Sequence, residues 1–366
     1  ITGNLGADHT GGVAVVLGTM DAANAAVLYL DIEGTGRWTV MRTGRMADMD
    51  VCVCVHGGNT SDFSRGRVEP VSRKSGADLT EAGNMNYRHA YHAGNFADVV
   101  KHAIVARIVE YLKRKDKAFR VIDTHAGIGL YDLSSEEAQK TGEWHDGIGR
   151  LVEAFLDEKK SNLLNPLLEA VEKENHGPGI QPYPGLPRLV RHLSRKQGRL
   201  TAIELYPQDA ARLKDVFAGD FQTRVIELDG WLALGAHLPP KEKRGLVLID
   251  PPFEQEDEFG RIVTKLEKAH RRWPGGIYAV WYPIKNHDAV QDFRRRLAES
   301  SIADVIDIRL ELRPPSSEPR LDGTGMIVVN PPFVLREEME TLLPVLAGIL
   351  GEEGKGRWAL ERLTAE

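Results

Sequence analysis

The stretch Leu246-Val247-Leu248-Ile249-Asp250-Pro251-Pro252-Phe253 decides the fold. Four aliphatic residues in a row suit a strand buried on both faces, as in a parallel sheet covered by helices. Proline has no N–H to give to a ladder, so Pro251-Pro252 ends the strand and leaves Asp250 at its carboxyl end. Similar runs occur outward at 119–122, 200–203, 225–228, 277–281, 305–312 and 326–329, most of them separated by helix-length segments such as 208–217 and 259–272. Strands alternating with helices predict an α/β fold, a seven-stranded doubly wound parallel sheet with helices on both faces. Before the first strand, Val99, Val100, Ala103, Ile104, Ile108 and Leu112 recur at helical spacing. They predict a helix over 96–115 with Lys101, Lys113, Arg114 and Lys115 outside.

About 76 residues separate the first strand from the second, where a crossover needs a dozen or so. Helical stretches at 134–139 and 151–173 and a Pro/Gly-rich run at 178–187 predict a helical subdomain inserted at about 131–182, returning to the sheet near Tyr183.

Composition narrows the class. The 366 residues are 42% hydrophobic and 27% charged, which excludes a disordered tail and is enough for a sizeable core. Cys52 and Cys54 are the only cysteines, so a disulfide scaffold and a cysteine-based zinc site are excluded and a reducing compartment fits. No apolar stretch reads as a membrane span; the expectation is a cytoplasmic protein. A net charge of −6 gives no global attraction to nucleic acid, leaving local patches such as 113–117, 188–199 and 294–296. Residues 1–84 differ: they hold 13 of the 36 glycines but one lysine, Lys74, and one proline, Pro70. They read as an extension of unassigned role, either a small accessory domain with strands near 14–17 and 51–55 or upstream sequence joined to a domain over 85–366.

The strand ends carry the chemistry. The first runs into Asp123-Thr124-His125-Ala126-Gly127-Ile128-Gly129, where glycines let the backbone turn tightly and approach a ligand. The second ends in Glu204, placed to accept from ribose hydroxyls, and the third at Asp229-Gly230. The third glycine of the dinucleotide fingerprint is missing, which disfavours a pyrophosphate and leaves room for S-adenosylmethionine. Asp250-Pro251-Pro252-Phe253 resembles the Asp/Asn-Pro-Pro-aromatic signature of methyltransferases acting on exocyclic amino groups of bases. Asn330-Pro331-Pro332-Phe333 fits it as well, but ends the seventh strand, farther from the switch point; Asp250 is preferred. His89, His92, His102 and His125 lie close in sequence, yet with neither cysteines nor a clear carboxylate partner no metal site is expected.

With Tyr87-Arg-His-Ala-Tyr-His92-Ala-Gly-Asn-Phe-Ala-Asp98-Val-Val-Lys101-His102, Tyr183-Pro-Gly185 and Glu204-Leu-Tyr-Pro, these motifs resemble the 23S rRNA adenine-N6 methyltransferase J family over 85–366. The resemblance implies a Rossmann-like class I methyltransferase fold, S-adenosylmethionine as cofactor, 23S rRNA as substrate, with the adenine flipped out or single-stranded, and a monomer without a metal. It implies cofactor contacts at Lys101, His102, His125, Leu186, Glu204, Asp229, Gly230 and Asp250, with Asp250 as catalytic residue. Substrate contacts fall to Tyr87, Pro251 and Phe253. Leu186 stands where a serine is usual and Phe253 where tyrosine is commoner. DNA adenine-N6 methylation, or a non-catalytic role in ribosome assembly, are the alternative readings.

Overall fold

The computed structural model describes residues 12–15, 28–32, 38–40 and 89–365, except 178 and 316–319. The chain divides into two units, Ile1–Ala82 and Gly83–Glu366. In the first, β1 (Gly12–Val15), β2 (Leu28–Ile32) and β3 (Trp38–Val40) pair antiparallel in that order. The strand expected near 51–55 and the substrate residue Tyr87 lie outside the described residues.

The second unit opens with α1 (Phe96–Lys113), capped by Asn95, whose side chain accepts the Asp98 N–H. Next come β4 (Arg120–Asp123), β5 (Leu130–Asp132), α2 (Glu136–Thr141), α3 (Arg150–Glu153), α4 (Glu158–Glu174), β6 (Pro182–Pro184) and α5 (Leu186–Leu193). The stretch 151–173, expected as one helix, is broken between α3 and α4, where Asp157 caps the second helix. β5 and β6 pair antiparallel, Tyr131 opposite Tyr183, and tie together the two ends of this excursion. The chain continues through β7 (Arg199–Glu204), α6 (Pro207–Val216), β8 (Thr223–Glu227), α7 (Gly230–Ala236), β9 (Gly245–Ile249), α8 (Glu258–Arg272), β10 (Ile277–Ile284) and α9 (His287–Ala298). It ends with β11 (Val305–Glu311), β12 (Gly323–Val329), α10 (Leu335–Leu350) and β13 (Arg357–Thr364).

The main sheet runs β13-β11-β12-β10-β9-β4-β7-β8. All seven expected strands are in it, and β13 adds an eighth at the edge beside β11. It went unforeseen because its sequence, RWALERLT, interleaves charges with apolar residues as an exposed edge strand does. The sheet is also not wholly parallel. β4 pairs parallel with β7 and β9, and β9 with β10, but β12 runs antiparallel to both β10 and β11. Two apolar layers cover its faces. Leu246 and Leu248 pack toward α1, α4, α5 and α10; Val247 and Ile249 pack toward α7, α8 and α9. Alternate residues of β9 thus feed opposite cores, which explains its unbroken apolar run. No helix among the described residues is long and apolar enough to cross a membrane.

Candidate active site

β4 lies between β7 and β9, and the connections leaving its carboxyl end diverge there, opening a crevice. The loop after β4 turns at Gly127, with φ +60°, where a Cβ would fall 2.3 Å from the Tyr131 hydroxyl. Glu204, at the end of β7, accepts the Gly127 N–H at 2.8 Å on one oxygen and the Tyr206 N–H at 2.9 Å on the other. It therefore braces the glycine loop, and each oxygen keeps a second lone pair. Asp229 caps α7 by accepting the Trp231 N–H at 2.6 Å. Gly230 follows because a Cβ there would sit 2.1 Å from the Thr124 carbonyl oxygen.

The two histidines expected beside the cofactor are held neutral. His102 is buried, which pulls its imidazole down to about 3 against the opposing pull of Asp98, and its Nδ1 shares a hydrogen bond with the Tyr183 hydroxyl at 2.9 Å. Burial likewise brings His125 down to about 4. The Thr124 hydroxyl donates to the Leu248 carbonyl, so His125 Nδ1–H donates to Thr124 Oγ1 and Nε2 remains an acceptor. Leu186 starts α5 with its side chain in the core. Any cofactor contact there falls to the backbone at the helix start, whose first N–H groups lack intrahelical acceptors.

Asp250 follows β9 directly. Its Oδ2 lies 2.5 Å from Lys101 Nζ, which also meets Asp98 Oδ1 at 3.2 Å. Lys101, expected outside, is only 4% exposed, because the face of α1 that carries it abuts these two carboxylates. Burial alone would lower the Lys101 ammonium, but Asp250 and Asp98 outweigh it and raise it above its ordinary value. Burial would raise Asp98; His89 at 2.9 Å and Lys101 hold it well below the carboxylate range. Phe253 has φ +54°, a conformation rare for a bulky residue, and stands edge-on to Phe259 and Trp281 at ring separations of 5.1 and 5.8 Å. The Trp281 ring carries Lys101 Nζ 5.1 Å from its centroid. Asp98, Lys101, Pro252, Phe253, Trp281 and Lys285 line a cleft of about 530 Å³.

The fold thus brings together Lys101, His102, His125, Glu204, Asp229, Gly230 and Asp250–Phe253 at the carboxyl edge of the sheet. Sequence reasoning left out Asp98, Asp123 and Trp281 as site residues. Asp98 stood three positions before Lys101, a helical spacing that signals a shared face; Asp123 ended a strand; Trp281 gave no signal. Asn330 lies at the opposite edge. Because β12 is antiparallel, Val329 pairs with Tyr278 at the start of β10, and the Asn330 amide donates to Pro274 and Gly276 carbonyls at 2.7 and 2.6 Å. The four histidines have separate partners: Asp98, Glu143, Tyr183 and Thr124. The basic clusters are largely engaged in ion pairs, such as Arg114 with Glu338, Arg191 with Asp220 and Arg294 with Asp307.

One buried polar atom in the crevice lacks a donor: Asp123 Oδ2. An orphaned anionic oxygen beside an acidic strand end and a glycine loop fits a cationic nucleoside such as S-adenosylmethionine. Comparison with known proteins agrees. The family model described as ribosomal RNA large subunit methyltransferase D, RlmJ, matches residues 116–364. The protein named ribosomal RNA large subunit methyltransferase J of Haemophilus influenzae is 39% identical over 284 residues, 77% of this chain and 100% of its own. Its Escherichia coli namesake is 38% identical over 282 residues, with the same coverage. A crystal structure of a Legionella pneumophila protein matches with a TM-score of 0.68 at 32% identity, covering 74% of this chain and 98% of that one.

Proposed function

The chain belongs to the ribosomal RNA large subunit methyltransferase J family, and we propose that this S-adenosylmethionine-dependent enzyme methylates N6 of an adenine in 23S rRNA. The observation that carries the finer reading is Asp250, held by Lys101 on Oδ2 at the end of β9, two residues before the cleft-lining pair Pro252 and Phe253. The cofactor supplies a methyl group on a sulfonium. An adenine N6 lone pair is delocalised into the ring and attacks poorly. Asp250 Oδ1 accepts one N6 hydrogen and the Pro251 carbonyl the other, drawing the nitrogen toward a tetrahedral, nucleophilic state. Once the methyl group is transferred, the cofactor would leave as the neutral thioether, and the proton the nitrogen loses would pass to Asp250 Oδ1, which already accepts its hydrogen bond. Phe253 stacks on the base, worth roughly 1–3 kcal/mol, which offsets the few kcal/mol of turning it out of its helix or loop. Lys101 holds Asp250 in place through their ion pair, while His125, Glu204, Asp229 and Gly230 hold the cofactor with Lys101 and His102 alongside. On this reading the methyltransferase domain works as a monomer in the cytoplasm, and residues 1–84 take no part in the chemistry.

The test is transfer of labelled methyl from S-adenosylmethionine to unmodified 23S rRNA, followed by digestion to nucleosides. N6-methyladenosine, lost with Asp250→Ala, is the expected product. Label on another nucleoside, or on duplex DNA in preference to rRNA, would overturn the adenine-in-rRNA assignment.

A further inference from the structure

The crevice uses the carboxyl edge of the sheet; the amino edge carries a different surface. β7, β4 and β9 are neighbours, so the segments leading into them, 113–119, 194–198 and 240–244, lie side by side there. The Arg199 N–H meets the Phe119 carbonyl and the Arg120 N–H the Arg244 carbonyl, each at 3.0 Å. Lys115, Lys117, Lys196, Lys241 and Lys243 stand exposed on these segments, and among the described residues none of the five meets a carboxylate. The only carboxylates on the three segments, Asp116 and Glu242, are taken by Arg195 at 3.8 Å and Arg120 at 2.8 Å. Phe333 borders this surface with its ring 79% exposed. It stands edge-on to Tyr111 at 5.7 Å, in the last turn of α1, which runs straight into the first of the three segments.

Like charges without partners repel one another and lower stability until an anion covers them. In a chain of net charge −6 the excess is local to this edge. The exposed ring decides which anion fits. An acidic protein brings carboxylates alone, whereas RNA brings a phosphate at every nucleotide together with bases that stack on aromatic rings. We propose that the amino edge of the sheet is a second docking surface for ribosomal RNA, with the lysines on phosphates and Phe333 on an unpaired base. The inference rests on the rRNA methyltransferase reading above. It gives a role to the Asn330–Phe333 motif, which takes no part in the transfer. Nothing at this edge reaches the reacting atoms, so the surface sets affinity for the RNA and leaves the chemical step alone.

Binding of unmodified 23S rRNA, titrated over a salt series, tests this. Each lysine–phosphate contact contributes about 0.7 to 0.9 to the slope of log affinity against log salt, so Lys117→Gln/Lys243→Gln should flatten that slope by about 1.5. Lys159→Gln/Lys173→Gln removes the same charge from exposed positions on α4 and should leave the slope at the wild-type value. Phe333→Ala should weaken rRNA binding roughly 10-fold. All three variants should keep wild-type affinity for S-adenosylmethionine and wild-type kcat at saturating rRNA. Exposed substitutions of this kind change stability little, so each variant folds well enough to be read. A wild-type slope in the first variant, an equal flattening in the α4 variant, wild-type affinity in Phe333→Ala, or a fall in kcat at saturating rRNA each overturns the inference and leaves the methyltransferase reading standing. Failure of the wild type to bind or methylate rRNA overturns both.

Discussion

Lys101 Nζ and Asp250 Oδ2 meet at 2.5 Å although 149 positions separate them in the chain. One comes from a helix on one face of the sheet, the other from the carboxyl end of a central strand. Their contact joins the helix to the carboxyl end of β9.

Removing Lys101 leaves the buried Asp98 and the half-buried Asp250 without the cation they share. Breaking a buried ion pair from one side costs about 3 kcal/mol or more. Lys101→Met should lower the urea midpoint accordingly and reduce methyl transfer at the same time. Urea unfolding and single-turnover transfer, measured on the same preparation, check both expectations.

Phe253 projects from a strained backbone into the cleft. Phe253→Ala should cost roughly 1–3 kcal/mol of base stacking, read as a 10- to 100-fold fall in kcat/KM for RNA with unchanged affinity for S-adenosylmethionine. Phe253→Tyr preserves the ring and should keep activity near wild type. A fall in cofactor affinity for the alanine variant would show that the ring serves the wrong side of the site.

The Asp123 carboxyl also predicts how stability varies with pH. It titrates near 3.8 when unfolded and about 7 when folded, raised by burial and then by Asp250. Between those values the folded chain keeps a proton that the unfolded chain has released, so the contribution is full below about pH 4 and is lost as pH rises through 7. In Asp123→Asn this decline should vanish. The variant should then be more stable than wild type at pH 8, by up to about 4 kcal/mol. Thermal melts of the ligand-free proteins at pH 5 and pH 8 measure the difference.

Asn330 looks like Asp250 in its motif but works at the other edge of the sheet. Asn330→Ala removes two hydrogen bonds to the turn before β10 and should cost about 1–3 kcal/mol, with methyl transfer per folded molecule unchanged. Loss of transfer in a fully folded variant would contradict the assignment of Asp250.

Much of this was legible before any coordinates. The aliphatic runs marked all seven expected strands, since a strand buried on both faces must be apolar throughout. The acidic strand ends at Glu204, Asp229 and Asp250 were visible because proline, glycine or a charge ends a strand locally. Lys101 was misplaced to the outside for an equally local reason: helical periodicity scores a lysine as polar, and cannot register Asp250, 149 positions along the chain, meeting it on the buried side. Edge strand β13 was missed because its alternation is weak, and Trp281 because nothing near it in sequence signals a neighbour on another strand.

The sequence by itself determined the α/β class, the position of the crevice along the chain and the residue types available to it. These depend on spacing and on backbone chemistry within a few residues. Tertiary structure alone placed Asp250 and Asn330 at opposite edges of the sheet, since no local pattern encodes strand direction. It alone buried Lys101 between Asp98 and Asp250, and alone left Asp123 Oδ2 without a donor. Burial and charge pairing arise from groups far apart in the chain, and they take effect only when packing excludes water from between them.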